Sequence, residues 1–341
     1  MTESAPTHWL TIVIVAFNSG DFTRRCVESL ARQTDRDFEA IIVVNADEDG
    51  GVAGLSLPDE RFTVQVNAVN NGFSGGSNQA LLSAQTDYVM TLNPDAALDP
   101  ECLARMRAMT ALYPDAAMLC PVLTAVDGQT LDSAGDTLSA FGIAWHNGYQ
   151  TPISEHNELG LGEGNCLEVF GPSGAAALYK REAFGKAGGF DEQFFCYFED
   201  IDLALRLRAR GHYALLAPAA RGQHDGGHST DSLPGFAIEH TSRNVLTSIV
   251  KSAPLLLLPL MMTMHVFAHF WFQVRNAGTE IARYRSRGFW RGVKGLPAAL
   301  TGRFRRRPYP LGASWRVARR LSWGVKSVSR RTPEYWDRPE R

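Results

Sequence analysis

The feature that most constrains the fold is an alternation of strand-like and helix-like segments over the first hundred residues of this 341-residue chain. Apolar runs at residues 10–17 and 38–44 flank a helix-compatible segment near residues 21–33. Another strand-like run at 62–68, a glycine-rich turn with a helix to about residue 85, and a run at 88–92 continue the pattern. This β-α-β order predicts an α/β fold whose mostly parallel central sheet is flanked by helices.

Polar residues follow each of these strand-like runs. In sheets of this kind, ligands bind at the carboxyl ends of the strands. The sequence therefore predicts a site for a polar ligand at that edge. The segments expected there are Phe17-Asn18, Asn45-Ala46-Asp47, Asn70-Asn71-Gly72 and Asn93-Pro94-Asp95.

Two of these segments have chemistry of their own. Asp95 places a carboxylate where a hard cation bridging phosphate oxygens could sit, although an Asn-Pro-Asp turn can also simply cap the next helix. The turn at 70–78 carries Gly72, Gly75 and Gly76 before a helix, so its backbone N–H groups suit an anionic or polar ligand. Tight packing is the alternative reason for these glycines. The turn matches neither the Walker loop nor the dinucleotide-binding glycine pattern.

Three acids, Glu199, Asp200 and Asp202, stand at a predicted helix start after the aromatic run 194–198. The helix dipole accounts for acids at this place. Helical spacing nevertheless predicts that at least one faces the ligand crevice, where aromatic neighbours would raise its pKa toward that of a working base. One strand further on, His224 is a candidate ligand for a cation at Asp95, with His228 as the weaker candidate. A solvated loop histidine is the alternative.

The C-terminal part differs in composition from the rest. Residues 1–274 contain 16 Lys and Arg against 32 Asp and Glu, whereas residues 275–341 contain 18 against 4. The segment 253–272 has no formal charge over 20 residues, which meets the length of a membrane-spanning helix. Its prolines and histidines favour a peripheral or monotopic placement instead. We therefore predict a catalytic region at 1–250 and an apolar, basic, membrane-associating helical region at 251–341.

Two other interpretations of the C-terminal region remain open. It could be a buried helix with a solvated basic tail, or a tail that binds nucleic acid. No helix-turn-helix, RNA-recognition or zinc-finger pattern accompanies the charge, so no nucleic acid partner is expected. The five cysteines form no C-x-x-C pair, and the first residues lack a secretory signal pattern. Together these features predict the cytoplasmic face of the inner membrane.

Several motifs in order resemble the inverting glycosyltransferase family 2, and most closely its rhamnosyltransferase-like bacterial members. The resemblance covers roughly residues 10–250 and implies the GT-A fold. The motifs are Thr11-Ile12-Val13-Ile14-Val15-Ala16-Phe17-Asn18, Asn71-Gly72-Phe73-Ser74-Gly75-Gly76-Ser77-Asn78, Leu92-Asn93-Pro94-Asp95, Gly171-Pro172-Ser173-Gly174-Ala175, Gly188-Gly189-Phe190-Asp191-Glu192-Gln193-Phe194-Phe195, Tyr197-Phe198-Glu199-Asp200-Ile201-Asp202-Leu203 and Arg243-Asn244.

The resemblance implies roles for individual residues. Asp95 matches the last acid of the family's DxD element, which binds Mg²⁺ or Mn²⁺, with Asn93 in place of the first acid, and His224 matches a further metal contact. Asp200 matches the general base, supported by Glu199. Asn45 stands where the family has the aspartate that reads the nucleobase, so that role falls to Asn45 or Asp47. The donor-binding residues implied are Phe17, Asn18, Asn45, Asn71, Gly72, Asn78, Asn93, Asp95, Ser173 and Gly174.

The implied reaction is a single inverting displacement that needs no covalent nucleophile. No Gln-x-x-Arg-Trp element of processive synthases follows Asp202. The motifs look most like enzymes that use dTDP-L-rhamnose, with UDP-linked galactofuranose, GlcNAc or similar donors as the alternative. The expected acceptor is a glycan or a polyprenyl-diphosphate-linked glycan at the inner leaflet, in cell-surface polysaccharide synthesis. A catalytically silent GT-A binding module is the competing function.

Overall fold

The structure is a computed structural model that describes residues 8–46, 50, 52, 54–160, 164–226, 233–332 and 334–335. Its strands are β1 (Leu10–Ala16), β2 (Phe38–Asn45), β3 (Phe62–Asn67), β4 (Tyr88–Leu92), β5 (Ala96–Leu98), β6 (Met118–Thr124), β7 (Leu131–Ser133), β8 (Asp136–Leu138), β9 (Ala144–His146), β10 (Leu167–Val169), β11 (Ala176–Lys180) and β12 (Ala214–His224). The large sheet has the order β10-β12-β6-β11-β4-β1-β2-β3, with β5 beside β12 and β7 beside β6, while β8 and β9 form a separate hairpin.

The order of the strands brings the expected polar segments to one edge. β1 pairs in parallel with β2 and β4, and β2 pairs in parallel with β3, as the alternation predicts. β11 runs antiparallel to β4, so its start lies beside the end of β4, with Ala176 opposite Leu92. β12 ends at His224 opposite Ala96, two residues after Pro94. Segments from distant parts of the sequence therefore share the carboxyl edge of β4.

The helices are α1 (Gly20–Ala31), α2 (Gly72–Leu81), α3 (Cys102–Leu112), α4 (Arg181–Ala187), α5 (Glu199–Ala209), α6 (Phe236–Ser252), α7 (Leu258–Arg275), α8 (Glu280–Lys294), α9 (Leu296–Arg305), α10 (Ala313–Ala318) and α11 (Val325–Arg330). α2 packs tightly on the sheet, because a Cβ atom at Gly76 would lie 2.9 Å from Val15. Gly72 has φ +69°, and a Cβ there would meet the carbonyl oxygen of Phe195 at 2.4 Å. Close packing is therefore one function of this glycine-rich turn.

The C-terminal helices pack against the rest of the chain. Ala253, Leu257 and Met261 are buried in the same apolar cluster as residues of β6, β11 and α5, and so are Ala313, Val317 and Leu321. The guanidinium of Arg306 bonds to Ser252 Oγ and to Asp191, and Tyr309 Oη donates to the carbonyl oxygen of Ser252 at 2.8 Å. In the described part of the chain, no helix combines the length and apolar character that crossing a bilayer requires.

Candidate active site

The three acids at the start of α5 point to different surroundings. Asp202 is fully buried, and it accepts hydrogen bonds from Arg206 Nε at 2.7 Å and from Ser248 Oγ at 2.9 Å. It is therefore part of the internal packing. Glu199 is also buried, and its Oε2 has no hydrogen-bond partner among the described residues. Asp200 is partly exposed and accepts hydrogen bonds from the backbone N–H groups of Gly174 at 2.8 Å and Ile201 at 2.7 Å. Asp200 is the acid that is accessible to a ligand.

The electrostatic environments of Asp200 and Glu199 differ. Burial and the nearby Asp136 carboxylate raise the pKa of Asp200 to about 6, while the hydrogen bonds from Gly174 and Ile201 oppose this rise. Burial and the Asp200 carboxylate raise the pKa of Glu199 well above its usual value. At neutral pH, a group with a pKa of about 6 is mostly ionised, so Asp200 is the carboxylate of this pair. A carboxylate with a pKa near 6 is well suited to accept a proton from a hydroxyl group.

The loop before Asp200 is strained and held by one amide. Phe195, Tyr197 and Phe198 have φ values of 67°, 68° and 75°, in the left-handed region that bulky residues rarely adopt. The side-chain amide of Asn244 donates to the carbonyl oxygens of Phe194, Cys196 and Tyr197 at 3.1, 2.9 and 2.7 Å. Asn244 thus fixes the loop that orients Asp200. The Arg243-Asn244 motif marked this residue in the sequence, but its role depends on contacts across about fifty residues.

Asp95 and His224 meet as the resemblance implies. His224 Nε2 lies 3.2 Å from Asp95 Oδ1 and 3.3 Å from Asn93 Nδ2, and its Nδ1 donates to Asp132 Oδ2 at 2.9 Å. Burial disfavours the imidazolium form, but the hydrogen bonds that the ring donates to Asp132 and Asp95 outweigh it and raise the pKa of His224 to about 10, so a cation bound at Nε2 would have to displace a proton. Sequence reasoning missed Asp132, because it lies on the short strand β7 with no motif around it.

The donor atoms at Asp95 and His224 fit an octahedral divalent cation. Two ligands on adjacent octahedral corners, each about 2.1 Å from Mg²⁺, lie about 3 Å apart, close to the observed separation between Oδ1 and Nε2. Asp132 would then act as the carboxylate that orients a metal-binding imidazole. Within the described ranges, no group of three or more His, Cys, Asp or Glu side chains could hold a metal ion. A cation here would therefore need further oxygen ligands from a bound phosphate or water.

A short series of hydrogen bonds connects Asp200 with the end of β4. Asp200 accepts from Gly174, and the Gly174 carbonyl accepts from Thr91 Oγ1 at 2.8 Å. The backbone N–H of Asn93, next along β4, donates to the carbonyl of Ala175 at 2.9 Å. His146, paired with Asp136 at 2.6 Å, also lies close enough to lower the pKa of Asp200. The Asp200 carboxylate and the Asp95–His224 pair thus lie along one stretch of the sheet edge.

Some expected donor-binding side chains have internal partners. The buried Asn45 donates to the Gly72 carbonyl at 3.0 Å and accepts from Asn67 at 2.8 Å. Asn78 binds the backbone of Phe190 through both its amide nitrogen and its oxygen. Both side chains hold α2 and its neighbours together. Nucleobase reading by Asn45 stays a prediction, since its amide nitrogen and its oxygen each already have a hydrogen-bond partner inside the protein.

The helix N-terminus is also less open than expected. The N–H of Gly72 donates to Asn70 Oδ1, and the N–H of Ser74 donates to the Phe195 carbonyl. Phe17, Asn18 and Asn71 lie at the carboxyl edge, and Ser173 lies buried beside Gly174. Their binding roles stay predictions. Asp47 and His228 lie outside the described residues.

Comparison with known proteins decides the family. Residues 11–188, more than half of the chain, match Glycosyl transferase family 2. The chain belongs to glycosyltransferase family 2. An N-acetylglucosaminyl-diphospho-decaprenol L-rhamnosyltransferase from Mycobacterium tuberculosis is 26% identical over 257 residues, which cover 69% of this chain and 83% of the relative.

Solved structures agree on the fold of this family 2 glycosyltransferase. Staphylococcus aureus TarS 1-349 in complex with UDP-GlcNAc superposes with a TM-score of 0.56 and 14% identity, covering 85% of this chain and 81% of TarS. GalNAc-T7 with UDP, GalNAc and Mn²⁺ gives a TM-score of 0.59 and 13% identity, covering 89% and 59% of the two chains. The GT-A fold expected from the sequence is confirmed.

Proposed function

We propose that this family 2 glycosyltransferase is a metal-dependent, inverting enzyme that transfers L-rhamnose from dTDP-L-rhamnose to a polyprenyl-diphosphate-linked glycan in cell-surface polysaccharide synthesis. The observation that carries the proposal is the ionised Asp200 carboxylate, hydrogen-bonded to Gly174 and joined through β11 and β4 to the Asp95–His224 pair. A base and a cation-binding pair on one sheet edge suit the transfer of a sugar away from a diphosphate.

The reaction follows from the positions of these groups. Asp200 accepts the proton of the acceptor hydroxyl as its oxygen attacks the anomeric carbon, and one displacement inverts that centre. Asp95 and His224 would hold Mg²⁺ or Mn²⁺, which supplies charge stabilisation for the departing nucleoside diphosphate. Burial and the Asp200 carboxylate favour the protonated form of Glu199, so Asp200 is the acid of this pair that accepts the proton.

The choice of donor and acceptor rests on the relative from Mycobacterium tuberculosis, whose name states an L-rhamnosyl group and a diphospho-decaprenol-linked N-acetylglucosamine. At 26% identity, a UDP-linked donor is the alternative. TarS, whose structure was solved with UDP-GlcNAc, shares the fold and motivates including that donor in the test.

A donor panel tests the proposed function. Purified full-length protein is incubated with Mn²⁺ or Mg²⁺, each of dTDP-L-rhamnose, UDP-galactofuranose and UDP-GlcNAc, and a short-chain N-acetylglucosaminyl-diphospholipid. We expect dTDP-L-rhamnose to raise the melting temperature most and to give a product with inverted anomeric configuration. Transfer from a UDP-sugar with none from dTDP-L-rhamnose would replace the proposed donor. Binding of a donor without turnover on any acceptor would favour the silent binding module.

The face of α7 supports the proposed membrane association. Its inward side carries the buried His265 and His269, and burial lowers the pKa of each to about 4, so both are neutral. His265 Nδ1 donates to the Phe141 carbonyl at 3.0 Å. The outward side exposes Phe267, Trp271 and Val274 at 63, 57 and 77%. An ordinary surface helix turns its apolar side inward and its polar side toward solvent, whereas α7 buries its histidines and exposes its aromatic side chains. This orientation fits an apolar lipid surface at the inner leaflet.

We expect the substitutions Phe267→Glu and Trp271→Glu together to weaken binding to vesicles by at least about tenfold, since each exposed aromatic side chain gains about 1.5–3 kcal/mol on leaving water. Sedimentation with vesicles of mixed neutral and anionic phospholipid measures the effect. Val66→Glu is the matched control, because Val66 is an exposed apolar residue on β3. Equal binding by both variants would contradict the α7 assignment. Deleting residues 253–341 is a poorer test, since it also removes buried residues of the core.

A further inference from the structure

A basic cleft of about 770 Å³ lies beside the outer face of α8. It is bounded by the end of α7, the connection to α8, and Glu239 of α6. Its volume falls in the range of small-molecule sites, and its lining is separate from Asp95, Asp200 and His224. The motifs shared with the family do not include it.

The cleft has more positive charge than its own residues neutralise. Arg283, Arg287, Arg291 and Lys294 recur at steps of four, four and three residues, so they share one face of α8. Like charges at this spacing repel each other. Glu239 lies 3.5 Å from Arg287 and 3.2 Å from Arg291 and is the acid among the described lining residues. Arg283 and Lys294 have no ion-pair partner in the part of the chain that the structure describes.

The surroundings of the cleft are apolar on one side. Trp290 lines it and is half exposed, and the end of α7 lines it through Gln273, which is followed by the exposed Val274. An occupant therefore meets cations in the cleft and a lipid-facing surface beside it. A molecule with a compact anionic group joined to a long apolar chain matches both surfaces.

The cleft is also connected to the loop that leads into Asp200, through helix α6. Glu239 and Asn244 are five residues apart on α6, a rise of about 8 Å. Asn244 holds the loop that leads into Asp200, through the carbonyls of Phe194, Cys196 and Tyr197. The cleft and the loop that leads into Asp200 are thus connected through one helix, α6.

We propose that this cleft binds the diphosphate group of the polyprenyl-linked acceptor, with its apolar chain along the outward face of α7. The inference rests on the proposed function. A diphosphate diester carries two negative charges, and the four cations of the cleft exceed its one acid, Glu239, by three positive charges. The diphosphate oxygens accept the bidentate hydrogen bonds that a guanidinium donates. A phospholipid headgroup with one phosphate would offset less of this charge.

The test compares two double variants of the full-length, detergent-solubilised protein. Arg283→Ala with Lys294→Ala removes the unpaired cations of the cleft. Arg305→Ala with Arg307→Ala removes two exposed cations of the same basic region outside it. Binding of a short-chain N-acetylglucosaminyl-diphospholipid is measured without donor, through tryptophan fluorescence. We expect about tenfold or more weaker binding for the cleft variant and little change for the control.

Turnover and vesicle binding complete the design. We expect the cleft variant to raise the apparent KM for the diphospholipid acceptor about tenfold, and to leave unchanged the KM for the donor and for an alkyl N-acetylglucosaminide without diphosphate. Equal losses on both acceptors, or equal losses in both variants, would overturn the proposal. A loss that appears only on anionic phospholipid vesicles would also overturn it, in favour of a headgroup site. The fluorescence assay needs no donor. It therefore reports binding of the diphospholipid to the cleft even if the proposed transfer reaction fails.

Discussion

Replacing Asp200 with Asn is expected to lower sugar transfer by about 10²- to 10⁴-fold while donor binding survives, because the amide cannot accept the proton of the acceptor hydroxyl. The side chain keeps its size, but its one oxygen can accept from only one of the backbone N–H groups of Gly174 and Ile201, which bond to different oxygens of the carboxylate. Turnover with the nucleotide sugar and acceptor measures the loss. Calorimetric binding of the donor shows whether the fold and donor site are intact.

The pH dependence of turnover provides a second test of Asp200 as the base. Asp200 acts as a base when ionised, and its pKa is about 6, so kcat should rise as pH increases through about 6 and then level off. A raised carboxyl pKa also means that ionisation costs stability above this pH. The Asn variant loses this cost but also one of the two backbone hydrogen bonds, so we expect its stability at pH 7 to stay close to that of the wild type. Glu199→Gln is the matched control, since the amide has the size of the buried Glu199 side chain. Unchanged turnover of Asp200→Asn would rule out Asp200 as the base.

The second large effect is expected at Asp95. Asp95→Asn removes one of the two side chains proposed to hold the cation, and metal stabilisation of a leaving diphosphate is worth several kcal/mol. Transfer should fall by at least about a hundredfold, and chelation of Mn²⁺ and Mg²⁺ should lower the wild type similarly. Titration of Mn²⁺ in the presence of a nucleoside diphosphate, followed by electron paramagnetic resonance, measures binding independently of turnover.

Asp225→Asn is the control for this experiment. It makes the same charge change next to His224, but its carboxylate lies 3.4 Å from Arg25 Nη1. We expect it to retain most activity and Mn²⁺ binding. If Asp95→Asn binds Mn²⁺ as tightly as the control, Asp95 is not a metal ligand and the cation site must be sought elsewhere.

The sequence predicted much of the site because parallel strands end at a common edge. Asp95 and His224 are 129 positions apart, yet Asp95 lies three residues after β4 and His224 is the last residue of β12, so their meeting follows from where these strands end. Asp132 and the Asp136–His146 pair could not be anticipated in this way. They lie on short strands of the irregular segment after β6, where hydrophobic periodicity is too brief to fix direction.

Similar limits apply to polar side chains with several possible partners. Asn45 and Asn78 were predicted to bind the donor, and both have hydrogen-bond partners inside the protein. Which partner an amide binds depends on the distances between elements far apart in the sequence. The sequence identifies such a residue, whereas its hydrogen-bond partner can be identified only in the packed structure.

The amino-acid sequence by itself determined the family, the order of strands and helices and the chemistry at the strand ends, because local periodicity and short motifs are properties of neighbouring residues. The tertiary structure alone decided which of the three acids on α5 is exposed, how Asn244 holds the strained loop, and which way α7 turns its aromatic face. These depend on contacts between distant segments, and such contacts set the burial that shifts the pKa of Asp200 and leaves the cations of α8 facing an open cleft.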